Sequence, residues 1–308
     1  MLAKSGGVSE LWKSDGTALG TVKIKQIRSG RPSDGPDLET GPGPIVSDGT
    51  LFFSGRSEGT GLELWKPDGT AKGTMMVKNI NPGIHGSEPQ RITRIGDSVL
   101  FAAQVGDGGV GLWKSDGTAA GTVRIKAVEP HSSGTYHTTS DDIWLAVSGG
   151  SAFFSSGTDA KGDGLWKTDG TEEGTVLVKD ITEDAGPVGI SQLTGVDGSV
   201  FFTAGRVGDE VGPGESDLWY SDGTAEGTEM LEDFVSGECC GDLTAVGDSV
   251  VFNAKTILRG SEMWKSDGTK GGTEMVKDIR PGFKGGQPKW LHPRRRQDLH
   301  CCLVGVQR

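Results

Sequence analysis

The sequence predicts an all-β fold, and three observations carry that prediction. First, the phrase Leu/Met-Trp-x-x-Asp-Gly-Thr-x-x-Gly-Thr recurs on Trp12, Trp65, Trp113, Trp166, Trp219 and Trp264, at spacings of 53, 48, 53, 53 and 45 residues. Second, 52 of the 308 residues are glycine and only 33% are hydrophobic, a composition of short strands and tight turns. Third, each repeat holds four short apolar or alternating stretches separated by Gly, Asp and Ser. A unit of about 50 residues cannot bury its apolar face alone, so the copies must stack. Four strands per unit describe the blade of a β-propeller.

The third copy shows the strands in order. Arg91-Ile92-Thr93-Arg94-Ile95 alternates and stops at Gly96-Asp97, residue types that tolerate the positive φ of a two-residue hairpin turn. Ser98 to Ala103 is the second strand, Leu112-Trp113-Lys114 the third and Val123 to Val128 the fourth. The second strand recurs as Leu51-Phe52-Phe53, Ala152-Phe153-Phe154, Val200-Phe201-Phe202 and Val250-Val251-Phe252. Consecutive large apolar residues predict burial on both faces. A parallel β-helix would need a far shorter period per turn.

The turn between the third and fourth strands explains its own residues. Asp15, Asp68, Asp116, Asp169, Asp222 and Asp267 each precede a glycine, and each carboxylate can accept backbone N–H groups of the turn. One such carboxylate per repeat also invites a calcium reading, but a lone Asp with one Thr falls short of the 6–8 oxygens that calcium takes. The expectation is turn chemistry and no cofactor, with calcium the weak alternative. Trp12, Trp65, Trp113, Trp166, Trp219 and Trp264 are expected to pack between blades, each burying about 150–250 Å².

A net charge of −11 without a basic face disfavours nucleic acid and anionic membranes as partners. The cluster Arg294-Arg295-Arg296 stands outside the repeats. No apolar run approaches the ~18 residues of a membrane span, so no membrane insertion is expected. No secretion signal is visible at the N-terminus. Cys239, Cys240, Cys301 and Cys302 form two adjacent pairs without C-x-x-C spacing. They read as ordinary thiols, or as vicinal or inter-pair disulfides.

The residues Glu10-Leu11-Trp12, Glu63-Leu64-Trp65 and Glu262-Met263-Trp264, each with its Asp-Gly-Thr turn, resemble the bacterial ELWxxDGT repeat family. The likeness covers nearly all of residues 10 to 291. The Glu gives way to Gly111 and Gly164 in two copies and to Asp217 in another. The blade pattern also looks kelch-like, without the kelch spacing of glycine pair and aromatics. The resemblance implies secreted or surface-associated proteins, hence an extracellular or cell-surface location and membership of a longer repeat array.

Five repeats are complete. The N-terminus is expected to supply the last two strands of a sixth around Trp12, and Gln287 to Leu291 its first. The expectation is therefore a six-bladed propeller over 1–291 with a composite closing blade. An atypical tail over 292–308 could complete it through Cys301-Cys302-Leu303-Val304.

Function is sought in the variable loops. His131 and His137 with Asp141 and Asp142 are candidate ligand-binding residues, as imidazole and carboxylate suit a metal. Asp209, Glu210, Glu215 and Asp217 form an acidic loop with the same candidacy. No H-E-x-x-H motif occurs, and the glycine-rich turns join strands to strands, which makes them poor cradles for phosphate. The sequence thus points to a non-catalytic binding or scaffold module whose partner is a protein or glycan. The alternative is a carbohydrate-active enzyme, a glycosidase or lyase, using carboxylates at the channel mouth.

Overall fold

The computed structural model describes residues 2–5, 8–26, 45–57, 59–106, 109–128, 143–157, 163–181, 188–206, 216–234, 241–256, 258–279, 281–282, 289–295 and 298–302. The chain divides into two compact units, one of Met1–Pro130, His137–Ile143 and Gly170–Glu172, the other of His131–Tyr136, Trp144–Asp169 and Glu173–Arg308. Among the described residues every regular element is a strand, paired antiparallel, and no helix is long and apolar enough to cross a membrane.

The first unit holds three sheets. One is three-stranded, β1 (Leu2–Ser5), β2 (Val8–Lys13) and β3 (Val22–Gln26). The second is β4 (Ile45–Ser47), β5 (Thr50–Ser57), β6 (Thr60–Lys66) and β7 (Met75–Lys78). The third is β8 (Gln90–Ile95), β9 (Ser98–Gln104), β10 (Val110–Ser115) and β11 (Val123–Val128).

The second unit repeats the pattern. Its four-stranded sheets are β12 (Leu145–Ser148), β13 (Ser151–Gly157), β14 (Asp163–Thr168) and β15 (Val176–Asp180); then β16 (Val188–Val196), β17 (Ser199–Arg206), β18 (Ser216–Ser221) and β19 (Thr228–Glu232); then β20 (Gly241–Val246), β21 (Ser249–Thr256), β22 (Gly260–Ser266) and β23 (Glu274–Lys277). A two-stranded hairpin follows, β24 (Lys289–Arg295) with β25 (Asp298–Cys302). Within every four-stranded sheet the strands lie in sequence order.

The second strand of each sheet carries the core, because its neighbours cover it on both edges and the adjacent sheets cover its faces. Phe101, Phe153, Phe154, Phe202 and Phe252 are fully buried, and Phe52, Phe53 and Phe201 nearly so. The third strand brings the tryptophan. In all six copies the register slips between the residue before Trp and Trp itself, as at Leu64/Trp65 and Leu218/Trp219. Such a bulge increases local twist and re-aims the side chain. Trp113 packs among Phe52, Leu64 and Val77 of the preceding sheet, and Trp219 joins Phe153, Leu165 and Val178 in the same way.

One end segment differs from expectation. The N-terminus supplies three strands and not two, for Leu2 pairs with Leu11 as Ser54 pairs with Leu64. Leu2-Ala3-Lys4-Ser5 lacks the double aromatic that marks this strand elsewhere, which hid it. Past Leu291 the chain continues as a strand to Arg295 and pairs with Asp298–Cys302. Cys301 and Cys302 lie on that second strand, and Cys239 and Cys240 lie outside the described residues.

Candidate functional site

The Asp-Gly-Thr turn is a closed hydrogen-bond circuit. Asp222 Oδ1 accepts the Thr224 N–H at 2.8 Å and its hydroxyl at 2.7 Å, and Thr224 Oγ1 accepts the Gly227 N–H at 2.9 Å. The Thr228 hydroxyl donates to the Thr224 carbonyl at 2.6 Å, and the Ser221 and Thr228 hydroxyls meet at 2.7 Å. The Gly223 N–H donates to the Ser221 hydroxyl at 3.0 Å, with Gly223 at a φ of 88° that favours glycine. Asp15, Asp68, Asp116 and Asp267 make the same pair of bonds to their threonines. These bonds hold all five carboxyls below the usual aspartate value. The second glycine of each motif is fixed by proximity, since a Cβ on Gly227 would lie 2.2 Å from the Asp222 carboxylate. Among the described residues no three His, Cys, Asp or Glu stand together as a metal group.

Of the loop candidates, His131, His137, Asp141, Asp142, Asp209, Glu210 and Glu215 lie outside the described residues. Asp217 is described, half-buried on β18 opposite Ala204. It occupies the position that is Glu63 and Glu262 in other copies. That position has a role which sequence reasoning missed. Glu63 is completely buried and accepts the Ile80 and Asn81 N–H groups, both at 3.1 Å, and the Ser87 hydroxyl at 2.6 Å. It pins the loop that leaves β7. Glu262 accepts the Ile279 N–H at 3.1 Å in the same manner. The signal was available in the loops themselves, Ile80-Asn81-Pro82-Gly83 and Ile279-Arg280-Pro281-Gly282, which follow these two copies alone. Where Gly164 replaces Glu, the buried Asp163 one residue earlier takes the Ile190 N–H at 2.7 Å.

A second recurring device joins successive sheets. Lys25 Nζ lies 5.3 Å from the Trp65 ring centroid and donates to the Thr74 carbonyl at 2.5 Å. Lys78 Nζ lies 5.8 Å from the Trp113 centroid and donates to the Thr122 carbonyl at 2.7 Å. Lys179 donates to the Thr228 carbonyl at 3.2 Å. Lys25 and Lys78 therefore reach from the fourth strand of one sheet across the tryptophan of the next, and Lys179 makes the same carbonyl contact.

The concavity best suited to a ligand lies in the second unit. It measures about 710 Å³ and is bounded by Glu232, Asp233 and Phe234, by Thr256, Leu258 and Arg259, and by Trp264, Thr273, Glu274 and Met275. Phe234 meets Trp264 edge-on at 5.2 Å. Burial, with the Asp233 carboxylate beside it, pushes the Glu232 carboxyl up. Leu258 stands 77% exposed at the rim. The pocket combines aromatic walls, a threonine backbone and a partly desolvated carboxylate, which suits it to an organic cation.

No protein-family model matches the chain, and no curated protein matches it. Solved structures do. Puromycin hydrolase aligns with a TM-score of 0.51 at 14% identity, over 92% of this chain and 43% of that one. The β-propeller domain of the Trilobed protease from Pyrococcus furiosus aligns at 0.45 and 14%, over 91% and 79%. Acylaminoacyl peptidase from Pyrococcus horikoshii aligns at 0.41 and 12%, over 90% and 42%. The chain thus spans less than half the length of puromycin hydrolase. At these identities the likeness is one of fold, an all-β fold of the β-propeller kind. It corrects the expectation of a non-catalytic scaffold recognising protein or glycan, and with it the glycosidase or lyase alternative. The structure aligned at 0.51 is that of a hydrolase named for puromycin.

Proposed function

We propose that this chain is the propeller portion of a peptidase-related hydrolase, where it receives the peptide or amide substrate. The observation that carries the reading is the alignment of 92% of the chain with 43% of puromycin hydrolase. On this reading the hydrolytic residues lie in a companion domain or chain, as the chain matches only 43% of puromycin hydrolase. The finer architecture belongs to the same proposal. That architecture is a propeller of six blades. The ELWxxDGT-like repeats favour action at the cell surface or outside the cell.

The test is thermal unfolding of the purified chain against short peptides and oligosaccharides. A ligand at ~100 times its dissociation constant adds about 2.7 kcal/mol. Stabilisation by peptides and not by oligosaccharides is the expected result. No peptide shift, or a shift with oligosaccharides alone, overturns the proposal.

A further inference from the structure

Four residues beyond the second threonine of each Asp-Gly-Thr-x-x-Gly-Thr motif the chain places Lys25, Lys78, Lys126, Lys179, Glu232 and Lys277. The register is the same throughout, with these residues opposite Leu11, Leu64, Leu112, Leu165, Leu218 and Met263. Five copies carry a lysine and one carries a glutamate. That one exchange falls at the 710 Å³ cavity, which Glu232 lines together with Trp264 and Thr273. Trp264 is the tryptophan of the next sheet, and Thr273 is the counterpart of Thr74, Thr122 and Thr228, whose carbonyls take the lysine ammonium elsewhere.

We propose that the cavity beside Trp264 binds an alkylammonium group of the lysine type, supplied by another molecule and held between Glu232, the Trp264 ring and the Thr273 carbonyl. The other copies are the template. At Trp65 and Trp113 an alkyl stem ending in an ammonium already fills this place, its charge over the ring and one proton on a threonine carbonyl. Glu232 removes the built-in cation and leaves an anion facing the same partners. A carboxylate there cannot close the gap, because the indole face and a carbonyl both repel it. An ammonium from outside satisfies all three groups at once.

The surroundings agree with that chemistry. Trp264 is half-buried, as are Trp12 and Trp166, whereas Trp65 and Trp219 are 5% and 3% exposed. Phe234 and Met275 give the stem an apolar wall. Asp233 adds negative potential, Glu274 is paired with Lys265 at 2.9 Å, and Arg259, the one cation among the described residues of the lining, faces Asp278 at 3.9 Å. The volume lies inside the range of about 300–1,000 Å³ typical of small-ligand pockets, ample for a side chain with its flanking backbone. This inference stands on the chain's own repeats and does not depend on the peptidase reading.

The experiment titrates the full chain with Nα-acetyl-lysine amide, followed by tryptophan fluorescence and ligand-observed NMR. Nα,Nε-diacetyl-lysine amide and glycinamide serve as controls. The wild type is expected to bind the free ε-ammonium at least tenfold more tightly than its acetylated form. Glu232→Gln should lose most of that preference. Glu232→Lys should abolish binding and melt at or above the wild-type temperature, as its own ammonium enters the site. Equal binding of both lysine amides, no binding, or undiminished binding by Glu232→Lys overturns the proposal. Tighter binding of glycinamide reassigns the site to an α-ammonium and overturns the lysine source.

Discussion

Lys78 places its ammonium over the ring of Trp113, 5.8 Å from the centroid, while donating to the Thr122 carbonyl. The two residues belong to neighbouring sheets of one unit, so the contact fixes sheet against sheet. A cation over an indole contributes about 0.5–2 kcal/mol, more when desolvated. Lys78→Met keeps the stem and removes the charge. It is expected to cost about 1–2 kcal/mol in urea unfolding with an unchanged m-value. An unchanged midpoint would show that the ammonium adds nothing to sheet stacking.

Glu63 should prove more costly to remove. It is completely buried and holds three donors from one loop. Glu63→Ala strands those donors away from water, at about 3–5 kcal/mol in total. Glu63→Gln keeps one acceptor and should cost less. The pH dependence has a definite sign. Burial is the largest influence on Glu63 and raises its carboxyl above the ordinary 4.5, against the opposing hydrogen bonds. Its contribution to stability is therefore greatest below that value and declines as pH rises through the raised one. Glu63→Gln should abolish this decline in a series of melting temperatures from pH 4 upward.

Much of the architecture was legible because its causes are local. Gly96-Asp97 closes a hairpin by backbone preference, and Phe153-Phe154 marks a doubly covered strand by composition alone. What escaped depends on contacts between distant residues. Nothing in Val77-Lys78-Asn79 marks the lysine as a contact, yet its partner Thr122 is 44 residues away. The Gly of Gly-Thr reads as a turn residue, whereas Gly227 is required because the Asp222 carboxylate folds back onto it. The cavity was legible only in part. Glu232 breaks a column of lysines visible on aligning the repeats, but nothing local says that the column crosses a tryptophan. The histidine and acidic loops drew attention by composition, and the described residues of those loops reduce to Asp217.

The coupling of Asp222 and Gly227 leads to a non-additive pair. A Cβ at Gly227 would displace the Asp222 carboxylate, and with it the bonds to Thr224. Asp222→Ala and Gly227→Ala should each cost about 1–2 kcal/mol, and the double variant little more than either. Additive losses would mean that the glycine acts through something else. These carboxylates titrate with the opposite sign to Glu63. Hydrogen bonds to Thr224 hold Asp222 below the ordinary 3.8, so its stabilisation is complete above that value and is lost as pH falls through the lower folded one. Acid unfolding should begin near this window and become shallower in Asp222→Asn.

Trp219 and Trp264 occupy equivalent places in successive sheets and should respond unequally to truncation. Trp219 is 3% exposed, stacks on Phe202 at 6.0 Å and packs among Phe153, Leu165 and Val178. Trp219→Ala opens a closed core and is expected to cost about 3–5 kcal/mol. Trp264 contacts Phe234 and the cluster around Phe252, but its other side borders the cavity lined by Glu232. With fewer neighbours to lose, and solvent already beside it, Trp264→Ala should cost less by at least 1 kcal/mol, an estimate of roughly one lost methylene's packing or more. Equal losses in parallel denaturant melts would mean that Trp264 is packed as tightly as Trp219. The space beside it would then be no site for an ammonium.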